Sequence, residues 1–215
     1  MTNFIPLFPL NIVVYPGEKL NLHIFEPRYK QLVNECFKEN KEFGIATVLN
    51  NAIAEMGTTV KILSIDKIHP EGEMDIRTEG LRVFTILERM KNLPEKLYGG
   101  AIVHYPDNVQ DGLPGKLQTL LATLNQFHAL LEVKKDYKKS PEDLNAYDLA
   151  HHAGLSLEQE YQLLELLRES QRQEFLQRHL RQTMPTILEL QNLKKRIELN
   201  GHFRKLSVNE ENPEA

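Results

Sequence analysis

Residues 4–29 read FIPLFPLNIVVYPGEKLNLHIFEPRY, a stretch in which short apolar runs alternate with residues that break regular structure. The Pro16-Gly17 pair predicts a tight turn, because proline presets the backbone at one turn position and glycine tolerates the next. The runs on its two sides, Ile12–Tyr15 and Lys19–His23, predict strands. Pro27 suits the first turn of a helix, so a helix is predicted over Pro27–Lys38.

The first half of the chain repeats this pattern of short apolar runs separated by glycine, proline and asparagine. The further predicted strands are Phe43–Leu49, Thr59–Ile68, Met74–Thr78, Leu81–Leu87 and Gly100–Tyr105. Several short strands rich in valine, isoleucine, threonine and phenylalanine favour an antiparallel sheet that curls into a barrel.

A change of composition follows Pro106-Asp107-Asn108, after which apolar residues recur at three- and four-residue spacing. The predicted helices cover roughly 113–131, 140–153, 157–182 and 185–200, with Pro185 opening or kinking the last one. The predicted class is therefore α+β. The predicted division is a barrel with one helix over 1–108, a helical subdomain over 109–206 and a disordered acidic tail over 207–215.

Composition narrows the functional class. Of the 215 residues 41% are hydrophobic and 26% charged, and the net charge is −4, so no basic excess is available to neutralise nucleic-acid phosphates. The single cysteine, Cys36, predicts neither an internal disulfide nor a structural zinc site. No secretory signal is predicted at the start of the sequence, and no run approaches the ~18 apolar residues of a membrane span. A cytoplasmic protein without a membrane partner is predicted.

Three blocks of the first stretch carry a family resemblance: the proline-leucine run, Tyr15-Pro16-Gly17, and the octapeptide LHIFEPRY over 22–29. They resemble the opening of the amino-terminal substrate-binding domain of Lon proteases. The similarity continues at GTTVKI (57–62), at GLRVF (80–84), where Leu81 replaces a polar or basic residue, and at EYQLLE (160–165), and it covers roughly 4–183. The chain is thus identified as a stand-alone Lon substrate-binding-domain protein. This resemblance implies a PUA-like pseudo-barrel followed by a helical bundle, and a role in selecting substrates.

The catalytic parts of Lon are missing from the sequence. A phosphate-binding loop ends in Gly-Lys-Ser/Thr, but the one Gly-Lys pair, Gly115-Lys116, is followed by Leu117. The family's peptidase segment, with its serine in a Gly-Pro-Ser-Ala-Gly context, is absent too. The sequence therefore predicts a protein that is not an enzyme and needs no cofactor.

Other reactive residues fit structural roles better than chemical ones. His151 and His152 are adjacent, so on a helix they point about 100° apart and cannot bind one ion from a single face. The acidic residues Glu71, Glu73 and Asp75 surround Gly72 and are typical of a solvated hairpin tip. His23 and Cys36 are expected to pack within their elements. No metal site is predicted.

Unfolded chains are recognised through their apolar segments, so apolar and aromatic side chains are the first candidates for binding polypeptide. The candidates, with a charged pair beside them, all lie in the first stretch. They are Phe4, Phe8, Tyr15, Phe25, Glu26, Arg28 and Tyr29. For Glu26 and Arg28 a network that fixes the strand-to-helix corner is an open alternative. Met74 and Met90 are further candidates, as adaptable side chains.

The leading hypothesis is a non-catalytic module that recognises exposed hydrophobic segments in protein quality control. The partners expected are unfolded or partly folded polypeptides, and a separate ATP-dependent protease and a second copy of the chain stay open as partners. Three alternatives remain: an RNA-binding PUA-like protein, an adaptor that dimerises through its helices, and an enzyme or small-ligand binder with a pocket at the barrel edge.

Overall fold

The computed structural model describes residues 3–135, 137 and 139–208. Its strands are β1 (Asn3–Leu10), β2 (Lys19–Ile24), β3 (Phe43–Leu49), β4 (Ala52–Ile68), β5 (Met74–Met90) and β6 (Gly100–His104). Its helices are α1 (Pro27–Glu39), α2 (Pro114–Leu130), α3 (Ala146–Ala150), α4 (Leu157–Glu165) and α5 (Glu169–Val208).

The strands form one sheet in the order β2-β5-β4-β3-β1-β6, and β5 also pairs with β6. That extra pairing closes five strands into a ring, with β2 attached beside the first part of β5. Closure removes most of the exposed strand edges. The β1–β3 pair is parallel and the others are antiparallel. The α+β class, with a barrel followed by helices, is confirmed, and the PUA-like description stays a prediction.

The first predicted strand is misplaced. Residues 12–15 are not a strand, and β1 lies upstream at Asn3–Leu10 although it contains two prolines. The apolar residues of 12–15 are buried because they pack against neighbouring elements, while side chains satisfy their backbone: Thr58 Oγ1 donates to the Val14 carbonyl, and Glu18 accepts from Tyr15 N at 2.9 Å. Apolar content alone does not distinguish such a buried segment from a strand.

Two predicted strands, Met74–Thr78 and Leu81–Leu87, are one strand, β5. Gly80 separates the two predicted strands in the sequence but lies inside β5. Glycine is needed at this position because a Cβ would stand 2.2 Å from the Tyr15 carbonyl oxygen. Gly57 has the same role in β4, where a Cβ would lie 2.3 Å from the Ile45 carbonyl oxygen. These glycines allow two backbones to approach closely and do not form turns.

The helix predicted over 157–182 is two helices, α4 and α5. Backbone bonds to a distant residue interrupt it: Val109 N donates to Leu167 O at 2.8 Å, and Glu169 N donates to Val109 O at 2.9 Å. Pro185 lies inside α5, which continues through Asn200 and Gly201 instead of ending there. Proline, asparagine and glycine have weak helix propensities, so these residues predicted helix boundaries that α5 does not have.

The helix predicted over 140–153 is much shorter, because α3 begins only after Asn145, which caps it by accepting from the Tyr147 and Asp148 amides. Residues 209–215 of the predicted tail lie outside the described residues. The division of the chain into domains stays a prediction.

Barrel and helices share an apolar core. Val13, Tyr15 and Val83 of the barrel side pack in the same buried cluster as α2 to α5. A second cluster joins α1 to the barrel, and a third fills the barrel around Phe84. The helices therefore support one side of the barrel.

His151 bridges the two halves at this junction. Its Nδ1 lies 2.7 Å from a carboxylate oxygen of Glu160, and its Nε2 lies 3.1 Å from Glu18. The hydroxyl of Tyr15, beneath the ring, donates to the Glu160 carbonyl at 2.8 Å. Burial alone lowers the pKa of His151, but the hydrogen bonds to Glu160 and Glu18 outweigh it and raise that pKa to about 10.

The His151 bridge predicts a pH-dependent stability. The folded-state pKa lies above the unfolded value, so protonated His151 stabilises the folded state fully below pH 6.5, and this contribution is lost as the pH rises toward 10. The ring is about one-third exposed, so we expect His151→Gln to cost roughly 1–2 kcal/mol at pH 6 and much less at pH 9.5. Urea unfolding of both proteins at the two pH values measures this, and an equal loss at both would contradict it.

Candidate functional site

A groove of about 330 Å³ opens on the barrel beside the start of α1. Its volume falls within the range of ligand-binding clefts. It is lined by Leu7, Pro9, Arg28, Tyr29, Ile53, Arg89, Met90, Lys91, Leu97, Tyr98, Gly99 and Gly100. Other hollows lie along α2, and they too mix apolar with polar lining residues. The groove on the barrel differs from them because two of the predicted binding residues, Arg28 and Tyr29, line it.

The floor of the groove is an aromatic stack at the start of α1. The rings of Phe8 and Tyr29 stack with centroids 4.0 Å apart, and Phe8 packs in turn on Phe43. The Arg28 guanidinium lies 4.6 Å above the Tyr29 ring and is held by Glu26 at 2.7 Å. Because Phe8 and Tyr29 are buried, the floor is fixed by the core.

The rim of the groove is the segment 91–99, which side chains of α1 hold in place. Gln31 accepts from Leu97 N at 2.8 Å and donates to the Glu95 carbonyl at 3.2 Å. One turn further on, Glu35 pairs with Lys96 at 2.8 Å and accepts from the Tyr98 hydroxyl. The side chain of Leu97, 65% exposed, is therefore presented from an ordered loop.

The charge of the groove is positive. Arg28, Arg89 and Lys91 line it, and the described lining residues include no aspartate or glutamate. Arg28 is paired with Glu26, whereas within the described part of the chain no salt bridge involves Arg89 or Lys91. An apolar floor with two available cations fits an apolar polypeptide segment that carries a carboxylate nearby.

The structure brings four of the seven predicted binding residues together. Arg28 and Tyr29 line the groove, Phe8 supports Tyr29 from below, and Glu26 fixes Arg28. The Glu26–Arg28 contact also agrees with the alternative interpretation, in which the pair fixes the strand-to-helix corner. The contact is needed both for fixing the corner and for positioning Arg28 in the groove.

The other three predicted residues lie elsewhere or at the margin. Phe4 is 47% exposed, and its ring lies so close to Gly100, a groove residue, that a Cβ there would be 2.4 Å from the ring. Tyr15 is buried and stacks on Tyr147 at the junction with the helices. Phe25 is exposed and faces His23, with ring centroids 6.2 Å apart.

Most of the rim is not predicted from the sequence. Of the two candidate methionines, Met90 lines the groove and Met74 is buried in the core. Leu97, Tyr98 and Arg89 carried no signal, because their segment has neither periodicity nor a motif. One local signal of the rim was the pair Gln31 and Glu35, which lie one turn apart on the polar side of α1 and can bind a neighbouring segment.

Cys36 is buried in the α1 contact with the barrel. Burial raises the pKa of its thiol to about 12, so the reactive thiolate is disfavoured at neutral pH. Within the described residues, no helix is both long and apolar enough to cross a membrane.

The sequence model of the substrate-binding domain of ATP-dependent protease La (Lon) matches residues 5–182. The chain therefore belongs to the family of Lon substrate-binding domains, as its motifs predicted. That domain is the non-catalytic, substrate-binding part of the protease.

Known proteins agree with this assignment. Lon protease 1 of Hydrogenovibrio crunogenus is 25% identical over 213 residues, which cover 91% of this chain but only 25% of that protein. A Lon N-terminal domain protein from Xanthomonas campestris superposes with a TM-score of 0.61 at 26% identity, covering 81% of this chain and 96% of that one. The N-terminal domain of a Mycobacterium avium complex Lon protease gives 0.62 at 20% identity, covering 83% and 98%, and shows the fold alone.

Proposed function

We propose that this chain is a non-catalytic polypeptide-binding module that recognises exposed hydrophobic segments through the groove beside α1. The single observation that carries the proposal is the apolar groove itself, in which a stacked aromatic floor faces an exposed leucine on an ordered rim. Membership of the substrate-binding family supports it.

The chemistry of the groove suits unfolded or partly folded clients. Such chains expose apolar side chains, and burying one leucine or phenylalanine contributes about 1.5–3 kcal/mol. A groove of about 330 Å³ accommodates one or two such side chains, so each binding event is weak and reversible. Reversible binding fits a protein that sorts many clients.

The chain spans about a quarter of the length of the Lon protease that it matches, and the Lon ATPase and peptidase motifs are missing from its sequence. We assign polypeptide hydrolysis to a separate ATP-dependent protease and place both in the cytoplasm. No cofactor takes part in binding.

Leu97→Asp is expected to weaken binding of a fluorescent apolar peptide at least tenfold, because a charge replaces the exposed apolar contact and ~1.4 kcal/mol corresponds to tenfold in affinity. Ile68→Asp is the matched control, since Ile68 is 67% exposed on a different part of the barrel. It is expected to change the dissociation constant less than twofold. Fluorescence anisotropy measures both, and equal effects of the two substitutions would contradict the assignment.

The alternatives are tested on the same preparation. RNA bound at Arg28, Arg89 and Lys91 would show an affinity that falls steeply with salt, whereas apolar peptide binding would not. Light scattering reports a dimer formed through the helices. Salt-dependent RNA binding without peptide binding would replace the proposed function.

A further inference from the structure

Two histidines and an aspartate from three separate parts of the chain meet at one end of the barrel, on β2, just after β4 and on β5. Nδ1 of His23 lies 2.7 Å from one carboxylate oxygen of Asp75, and Nε2 of His69 lies 2.8 Å from the other. One potential ligand atom from each of the three lies within 4.8 Å of the other two. A second carboxylate, on Glu73, lies 3.4 Å from His23 Nε2.

The backbone holds these side chains in position. His23 and Asp75 are directly opposite each other in the β2–β5 pairing. The hairpin that carries His69 is closed by His69 N donating to Glu73 O at 2.8 Å and by Gly72 N donating to His69 O at 2.9 Å. Lys30 of α1 donates to the Glu71 carbonyl at 3.0 Å and fixes the hairpin tip against the helix. The potential ligands therefore project from well-fixed positions.

The donor set selects a class of ion. Two imidazoles with a carboxylate suit zinc, copper, nickel and cobalt, whereas magnesium and calcium prefer oxygen ligands alone. With metal–ligand bonds of about 2.0–2.1 Å, tetrahedral ligand atoms stand about 3.3 Å apart. The two N–O contacts of 2.7 and 2.8 Å would open by about half an ångström around an ion, and a pair standing at the 4.8 Å limit would close by about 1.5 Å. Side-chain rotation allows this, because His23 and Asp75 are nearly half exposed.

We propose that His23, His69 and Asp75 bind a divalent transition-metal ion such as Zn²⁺, with water completing its coordination. The site is separate from the peptide groove, because none of its residues lines that groove. Because its ligands lie on β2, in the β4–β5 hairpin and on β5, a bound ion would crosslink the edge strand β2 to that hairpin.

The sequence did not reveal this site. Asp75 and Glu73 belong to a short acidic run, and His69 and His23 stand 6 and 52 residues from Asp75. No His-x-x-x-His spacing marks them, and only the register of β2 on β5 brings His23 to the hairpin.

Isothermal titration of the tag-free, chelator-treated protein with ZnCl₂ tests the proposal. We expect one Zn²⁺ per chain with a micromolar dissociation constant, and a loss of affinity of at least tenfold in His23→Gln and in His69→Gln. His104→Gln, which alters an exposed histidine on β6, is the matched control and should bind as the wild type does. Absence of Zn²⁺ binding, or equal affinity in all three variants, overturns the site.

Cobalt gives a readout that does not depend on stability. Co²⁺ bound by two imidazoles, one carboxylate and water in a tetrahedral site gives a visible absorption band, which we expect in the wild type and in His104→Gln. The band should disappear in Asp75→Asn and be displaced by equimolar Zn²⁺ but not by Mg²⁺ in hundredfold excess. Retention of the band in Asp75→Asn, or displacement by Mg²⁺, overturns the assignment.

Discussion

Replacing Arg172 with leucine is expected to lower the free energy of unfolding by about 3–5 kcal/mol. Arg172 is fully buried, and its Nε donates to Glu169, itself buried, at 2.9 Å. Its Nη1 donates to the carbonyl of Leu166 and to the side chain of Asn108, both at 2.8 Å. Without the guanidinium, the buried Glu169 carboxylate keeps the Ala146 amide but loses its only charge partner among the described residues, and the Leu166 carbonyl loses its side-chain donor. An unpaired buried charge costs far more than lost apolar contacts.

Arg168→Leu is the control for that substitution. Arg168 immediately precedes α5 and pairs with Asp111 at 2.8 Å, but its side chain is 57% exposed. Solvent screening limits the value of such a pair to about 1 kcal/mol or less. Urea unfolding followed by circular dichroism gives both values, and similar losses for Arg168→Leu and Arg172→Leu would show that burial of the Arg172 pair does not matter.

Gly80→Ala is expected to cost about 2–3 kcal/mol, although it adds a single methyl group. That methyl would stand 2.2 Å from the Tyr15 carbonyl oxygen. The backbone there has little freedom to move, because Gly80 N donates to Glu18 O and Gly80 O accepts from Gly17 N, each at 2.8 Å. The substitution must therefore displace the turn that leads into β2.

Gly115→Ala is the matched control, since nothing lies within 4 Å of a Cβ at Gly115, in the first turn of α2. Alanine favours helix over glycine by up to about 1 kcal/mol, so this variant should melt at the same temperature as the wild type or higher. Thermal unfolding of both variants decides the point. A Gly80→Ala protein as stable as Gly115→Ala would mean that β5 tolerates the extra methyl.

Elements specified by neighbouring residues could be predicted from the sequence. Helix α1 begins at Pro27 as expected, and β3 spans Phe43–Leu49 with the predicted bounds. In both cases the signal lies within a few residues of the element that it specifies: a proline at the start of α1, and a run of apolar and β-branched residues in β3. The order of strands, helix, strands and helices follows from these local signals.

Features that depend on distant contacts could not be predicted. Gly80 resembles a turn residue, and only the approach of Tyr15 shows why glycine is needed inside a strand. The break between α4 and α5 depends on Val109, almost 60 residues upstream of its partners Leu167 and Glu169. Local propensities carry no information about such contacts.

The candidate site likewise combines residues that could be predicted from the sequence with residues that could not. Arg28 and Tyr29 belong to the sequence block that marks the family, and they form the floor of the groove. Leu97 and Tyr98 reach it from a segment without a motif, through bonds to Gln31 and Glu35 of α1. A contact more than 60 residues apart in sequence leaves no local pattern.

Backbone amide shifts of the ¹⁵N-labelled protein, followed during titration with an apolar peptide, test directly whether the groove beside α1 binds polypeptide. We expect the shifts to concentrate at Leu97, Tyr98, Gly99 and Gly100, and the amides of α2 to remain unchanged. Shifts confined to α2 and α5, or no shifts at millimolar peptide, would contradict the assignment of the groove as the polypeptide-binding site.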